Sequence, residues 1–198
     1  VPGALDVDVR LLYQAFCLKD IQAGDHISTI TKDGNVLHVL HLHPDCSQIR
    51  AEEVPHYIYT LKESQPLERE GVLTVETSTN GAPLIAVNLL TTTAGEPPNV
   101  TVEHFDGYIQ GTVDGEHFAC KTHPETTYEV AEFKTDALAL TWNEEVCFAA
   151  LCTTVRRNNL LLIESAVPIT CDMLADQLVY CLAEASTVFS FFNIRNLS

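Results

Sequence analysis

Cations are scarce in this chain: 11 Lys and Arg face 27 Asp and Glu over 198 residues, a net charge of −16. Nucleic acids and anionic membrane surfaces are held through a basic footprint, so neither is expected as a partner. Long apolar runs are missing too. Stretches such as Ala149–Cys152 and Leu160–Ile163 fall far short of the roughly 18 residues that a membrane-crossing helix needs, and no membrane insertion is expected. No C-x-x-C occurs, which excludes zinc ribbons and thioredoxin-like redox chemistry. A P-loop, a dinucleotide fingerprint, an EF-hand loop and a G-x-S-x-G elbow are all absent, so the sequence predicts no cofactor.

What is abundant favours extended structure. Twenty Thr, with many Val, Ile and Tyr, suit a pleated and half-buried surface. Polar and apolar residues alternate in Val7–Leu11, Val72–Thr77, Val100–Glu103 and Tyr128–Phe133, the period of a strand with one face inward. Asp33-Gly34, Asn80-Gly81 and Asp114-Gly115 supply the positive φ values of tight hairpin turns. They predict hairpins pairing His26–Thr31 with Val36–His43, Val72–Thr77 with Leu84–Leu90, and Tyr108–Val113 with His117–Lys121. Further strands are expected at Val54–Leu61, Ala137–Trp142, Val146–Val155, Asn159–Glu164 and Val188–Ile194. From Thr170 to Ser186 the spacing changes: Leu174, Leu178, Cys181, Leu182 and Ala185 recur at three and four, which predicts one amphipathic helix capped by Thr170. The expected fold is mainly β: one domain over 1–198, an antiparallel β-sandwich or jelly-roll-like barrel with a late helix at about 170–186.

The seven cysteines, Cys17, Cys46, Cys120, Cys147, Cys152, Cys171 and Cys181, are many for a reducing compartment and predict one or more structural disulfides. Their odd number leaves a thiol over for a partner, and with the exposed edges of a β protein it invites a homodimer. The sequon Asn99-Val100-Thr101 follows a Pro-rich break and marks Asn99 as a glycosylation site. Together these features place the protein outside the cell, secreted or on a virion surface.

One segment has the make-up of a reactive site. In Val36–Cys46, His41 and His43 alternate onto one face with Leu37 and Val39, and Asp45 follows two residues on. Two imidazoles and a carboxylate at this spacing are a zinc ligand set. The run His41-Leu42-His43-Pro44-Asp45-Cys46 resembles the H-x-H-x-D-H signature of metallo-β-lactamase-like hydrolases, with Cys46 where that signature has its last His. The resemblance implies a small zinc-dependent hydrolase built on His41, His43 and Asp45. An alternative for the same residues, with His38 and His56, is an acid sensor, because imidazoles change charge between about pH 5 and 7.

The acidic surface points elsewhere. Glu52 and Glu53 precede Tyr57 and Tyr59, and Glu129 follows Tyr128. Carboxylates steer a cationic partner while tyrosines anchor it, so these six residues are the expected binding face of a non-enzymatic protein-binding module. Its partner would be a basic protein or cell-surface receptor, as for a secreted decoy or a viral capsid projection. The zinc hydrolase is the alternative reading.

Overall fold

The computed structural model describes residues 8–15, 20–44, 48–55, 69–78, 85–93, 96–174, 177–182 and 189–191. Over these residues the chain is all-β, with antiparallel pairing throughout. Contacts gather into two compact units, 1–98 and 99–198.

The first unit holds β1 (Asp8–Ala15), β2 (Asp20–Gln22), β3 (Ile27–Lys32), β4 (Asn35–His43), β5 (Gln48–Pro55), β6 (Arg69–Ser78) and β7 (Val87–Thr93). They form two sheets, ordered β1-β6-β5 and β2-β3-β4-β7. Leu11, Ile49, Leu73 and Val75 of one sheet pack against Ile21, Leu37 and Val39 of the other, which makes the unit a small β-sandwich. Asp33-Gly34 turns β3 into β4 with φ of 51° and 82°, as the sequence predicts.

The second unit is a ten-stranded sheet that curls into a half-barrel. Its strands are β8 (Val100–Phe105), β9 (Tyr108–Val113), β10 (Glu116–Lys121), β11 (Tyr128–Val130), β12 (Phe133–Thr135), β13 (Ala139–Trp142), β14 (Val146–Arg157), β15 (Leu160–Leu174), β16 (Gln177–Leu182) and β17 (Phe189–Phe191). Asp114-Gly115 closes β9 onto β10, as expected. Leu151 adopts a φ of 50° where the β14–β15 register slips between Ala149 and Cys152, and such bulges bend a sheet. The inner face carries the core, with Leu140, Trp142, Cys147, Ala149, Ile169, Cys171 and Met173 all buried.

Several expectations are corrected. The helix at 170–186 does not form: 170–174 belongs to β15 and 177–182 to β16, while 183–186 lies outside the described residues. Its apparent helical spacing comes from a bulge. Met173 faces Leu178 and Asp172 faces Tyr180, so Val179 is an extra residue, and Leu178 and Cys181, three apart, both reach the core. Thr170, the expected cap, instead accepts a hydrogen bond from the Leu151 amide. Val72–Thr77 is indeed a strand, but β6 pairs β1 and β5, and β7 pairs β4 in the other sheet. Tyr128–Phe133 is a hairpin rather than one strand, turning at Ala131, whose φ is 49°. The cysteines Cys120, Cys147, Cys152, Cys171 and Cys181 carry free thiols, so the disulfide expectation finds no support among the described residues. Residues 56–61 of the expected Val54–Leu61 strand, the Asn80-Gly81 turn, Cys17 and Cys46 lie outside them.

Candidate functional site

Three places in the described structure carry concentrated polar chemistry, and the sequence singles out two of them. The first is β4. The His41 imidazole is buried between two neutral partners: the Ser28 hydroxyl donates to Nε2 at 3.0 Å, and Nδ1–H donates to Asn88 Oδ1 at 3.0 Å. Ser28 Oγ in turn accepts the Gly24 amide at 3.3 Å. Every group in this chain has a donor or acceptor of the right kind only if His41 is neutral with its proton on Nδ1. Burial lowers the His41 pKa and His26 lowers it further, while the bond to Asn88 opposes both.

Serine, imidazole and amide in that order have the connectivity of an activated nucleophile. Ser28 is 0% exposed, however, so no substrate reaches its oxygen, and the array instead ties β3, β4 and β7 together. A zinc ion could engage His41 only by displacing Ser28 or Asn88. Strict alternation also ends here, since the pairing with β7 slips between His41 and His43. Asp45 lies outside the described residues, as does His56, and among those described no three His, Cys, Asp or Glu side chains are grouped to hold a metal. His38, on the opposite face of β4, is buried with Nε2 2.9 Å from Thr93 Oγ1.

The second place is the expected acidic face. Glu52 and Glu53 are exposed on β5. Glu52 accepts from Thr74 Oγ1 at 3.1 Å and lies 3.5 Å from Arg50 Nε, so a neighbour answers part of its charge. Tyr57 and Tyr59 lie outside the described residues. In the second unit Glu129 is exposed and pairs with Lys134. Tyr128 is 2% exposed, with burial raising its pKa, and is therefore part of the core rather than a surface anchor. Tyr128 ends a stack in which Tyr108 lies 5.1 Å from it and 4.8 Å from Phe105, and Phe105 is the member of that stack exposed to solvent. Asn99, the sequon residue, is exposed, and its amide bonds Asp114 Oδ1 at 2.9 Å.

The third place was not singled out from sequence. Cross-strand register sets two rows side by side on the inner face of the half-barrel: Thr101, Thr112, His117 and Trp142, then Glu103, Gln110, Ala119 and Leu140. Toward β13 these rows are apolar and buried. Toward β8 they become polar and border a hollow of about 300 Å³, closed on one side by Val130 and Ala131. His117 stacks on Trp142 at 5.2 Å, nearly parallel at 13°, and Phe133 props the indole from another side. Gln110 Nε2 donates to Glu103 Oε2 at 2.9 Å, and the Thr101 and Thr112 hydroxyls stand 2.8 Å apart. Gly111 lets the strands approach this closely, because a Cβ there would sit 1.9 Å from the Thr101 carbonyl oxygen. Burial raises the Tyr108 pKa, and the nearby carboxylates of Glu103 and Glu129 add to the shift.

One sequence signal could have led to this hollow: Asp106-Gly107 is a turn dipeptide like the others, and with Gly107 at φ 83° it folds β8 onto β9. Compared with known protein families and with curated proteins, the sequence matches none, and the site has to be read from its own geometry.

Proposed function

We propose that this chain is a non-enzymatic protein-binding module that captures a basic protein or receptor, working secreted or displayed on a particle surface. The supporting observation is an imbalance of charge at the surface. Arg10, Arg50, Lys134 and Arg157 are already matched to Glu76, Glu52, Glu129 and Glu132, and Lys121 is buried with its ammonium on the Pro124 carbonyl. Glu103, Glu116, Glu125, Glu144, Glu145 and Glu164 are exposed, and among the described residues no cation pairs with them. Such a surface accelerates encounter with a cationic partner and repels an anionic one. A glycan on exposed Asn99 fits an extracellular protein, and a homodimer would cover Tyr180 and Leu182, exposed at 53% and 59% on β16.

The test is a panel of basic, neutral and acidic extracellular proteins passed over the immobilised chain at rising salt. Capture confined to basic members and weakening as ionic strength rises supports the reading. Capture indifferent to charge or to salt refutes it.

A further inference from the structure

We infer that the hollow bordered by Glu103, Gln110, Thr112, His117 and Trp142 is a subsite for one arginine side chain of the partner. The inference rests on the binding-module reading and adds to it a place and a chemistry.

The hollow offers three things to a guest. The exposed His117 ring, backed by the parallel and buried Trp142 indole, gives it a flat π surface. Glu103 gives it a carboxylate, which the neutral Gln110 amide orients through one oxygen without cancelling its charge. The Thr101 and Thr112 hydroxyls add acceptor oxygens beside it. Among the described residues no Lys or Arg lines the hollow, and Arg157 is held over the Phe133 ring by two bonds to Glu132.

A guanidinium group matches this set. It is planar and so stacks on an aromatic face. Its five donors and lack of acceptors suit a site rich in oxygen, and it can bond a carboxylate and a hydroxyl together. An ammonium group carries the same charge but no plane and holds its water more tightly, so lysine is the poorer guest. A neutral guest would leave Glu103 without a counter-charge as the hollow loses water.

Trp142 is the only tryptophan in the sequence, so its emission reports on the hollow alone. The probe is acetyl-Gly-Arg-Gly-amide titrated into the full chain at low salt, beside the same peptide with lysine or with citrulline, which keeps the shape of arginine without its charge. A saturable change in Trp142 emission is expected with arginine, a weaker one with lysine and none with citrulline. Glu103→Gln should weaken the arginine response about tenfold or more, the scale of a lost charge-assisted hydrogen bond. Glu103→Asp should fall between, and Asp20→Asn, which removes an equal charge from exposed Asp20 on β2 of the first unit, should leave the response unchanged. Citrulline acting as well as arginine overturns the inference, as does a neutral oligosaccharide that shifts Trp142 when the arginine peptide does not. The two readings separate cleanly. Salt-sensitive capture of basic proteins that survives Glu103→Gln removes the subsite and keeps the module, whereas an arginine response without protein capture does the reverse.

Discussion

Replacing Ser28 by alanine tests whether the buried His41 array is a structural tie. The hydroxyl lies 3.0 Å from His41 Nε2 and 3.3 Å from the Gly24 amide. The Gly24 amide is only half-buried and can turn to water, whereas Nε2 faces a site where Ser28 itself is 0% exposed. The variant therefore loses one neutral hydrogen bond and strands one buried acceptor, a cost of about 1–3 kcal/mol. Denaturant unfolding at pH 7.5, with amide exchange in β3, β4 and β7 to locate the effect, would read it. A loss under about 0.5 kcal/mol, or faster exchange spread evenly over both units, refutes the argument.

The same array fixes a sign for pH. Burial holds the native His41 pKa below its ordinary 6.5. Above that pH both folded and unfolded chains leave His41 neutral, and its contribution to stability is complete. As pH falls through 6.5 the unfolded chain takes up the proton first, so this contribution is lost on acidification. In Asn88→Asp a carboxylate would accept from Nδ1 and favour the imidazolium, raising the pKa. The sign then inverts: stability from His41 is present at low pH and lost as pH rises through the raised value. Imidazole NMR titration of both proteins decides it.

Three further outcomes follow from packing and local geometry. Gly111→Ala would drive a Cβ to 1.9 Å from a backbone oxygen and 2.9 Å from Phe118, and should cost about 2–3 kcal/mol, whereas Gly115→Ala meets no neighbour and should cost about 1–2 kcal/mol for its φ of +92°; thermal unfolding ranks the two. Asp136 accepts the Thr153 and Thr154 amides at 2.9 and 2.8 Å, so Asp136→Ala leaves two strand amides unanswered and should destabilise by about 2–3 kcal/mol, read by the midpoint of urea unfolding. Burial pushes the Cys147 thiol up to about 12 and Cys120 up to about 11, and a bond to Cys171 together with burial raises Cys152. Iodoacetamide at pH 8 followed by mass mapping should therefore label Cys181, the most open of the core thiols, well before Cys147 or Cys152.

Strands were legible from sequence because their signal is local. Alternation in Val100–Glu103 and the Asp33-Gly34 and Asp114-Gly115 dipeptides act within a few residues, and the structure follows them. Pairing was not legible where it depends on remote chain: nothing in Val72–Thr77 says that its neighbours are β1 and β5. The Val179 bulge defeats period reading altogether, since one inserted residue turns a spacing of two into three. The candidate site suffered similarly. His41 drew attention by its company in sequence, yet its partners Ser28 and Asn88 come from neighbouring strands, 13 and 47 positions away. Glu103, Gln110, Thr112, His117 and Trp142 are spread over four strands, and only register assembles them.

The curled sheet of the second unit is interior at one end and exterior at the other, on a single continuous surface. Buried side chains on β13, β14 and β15 hold its shape, and on β8 Thr101, Glu103 and Phe105 face solvent. If β8 and β9 carry the proposed binding face, substitutions there would retune its selectivity while the curvature beneath stays fixed, without a new scaffold.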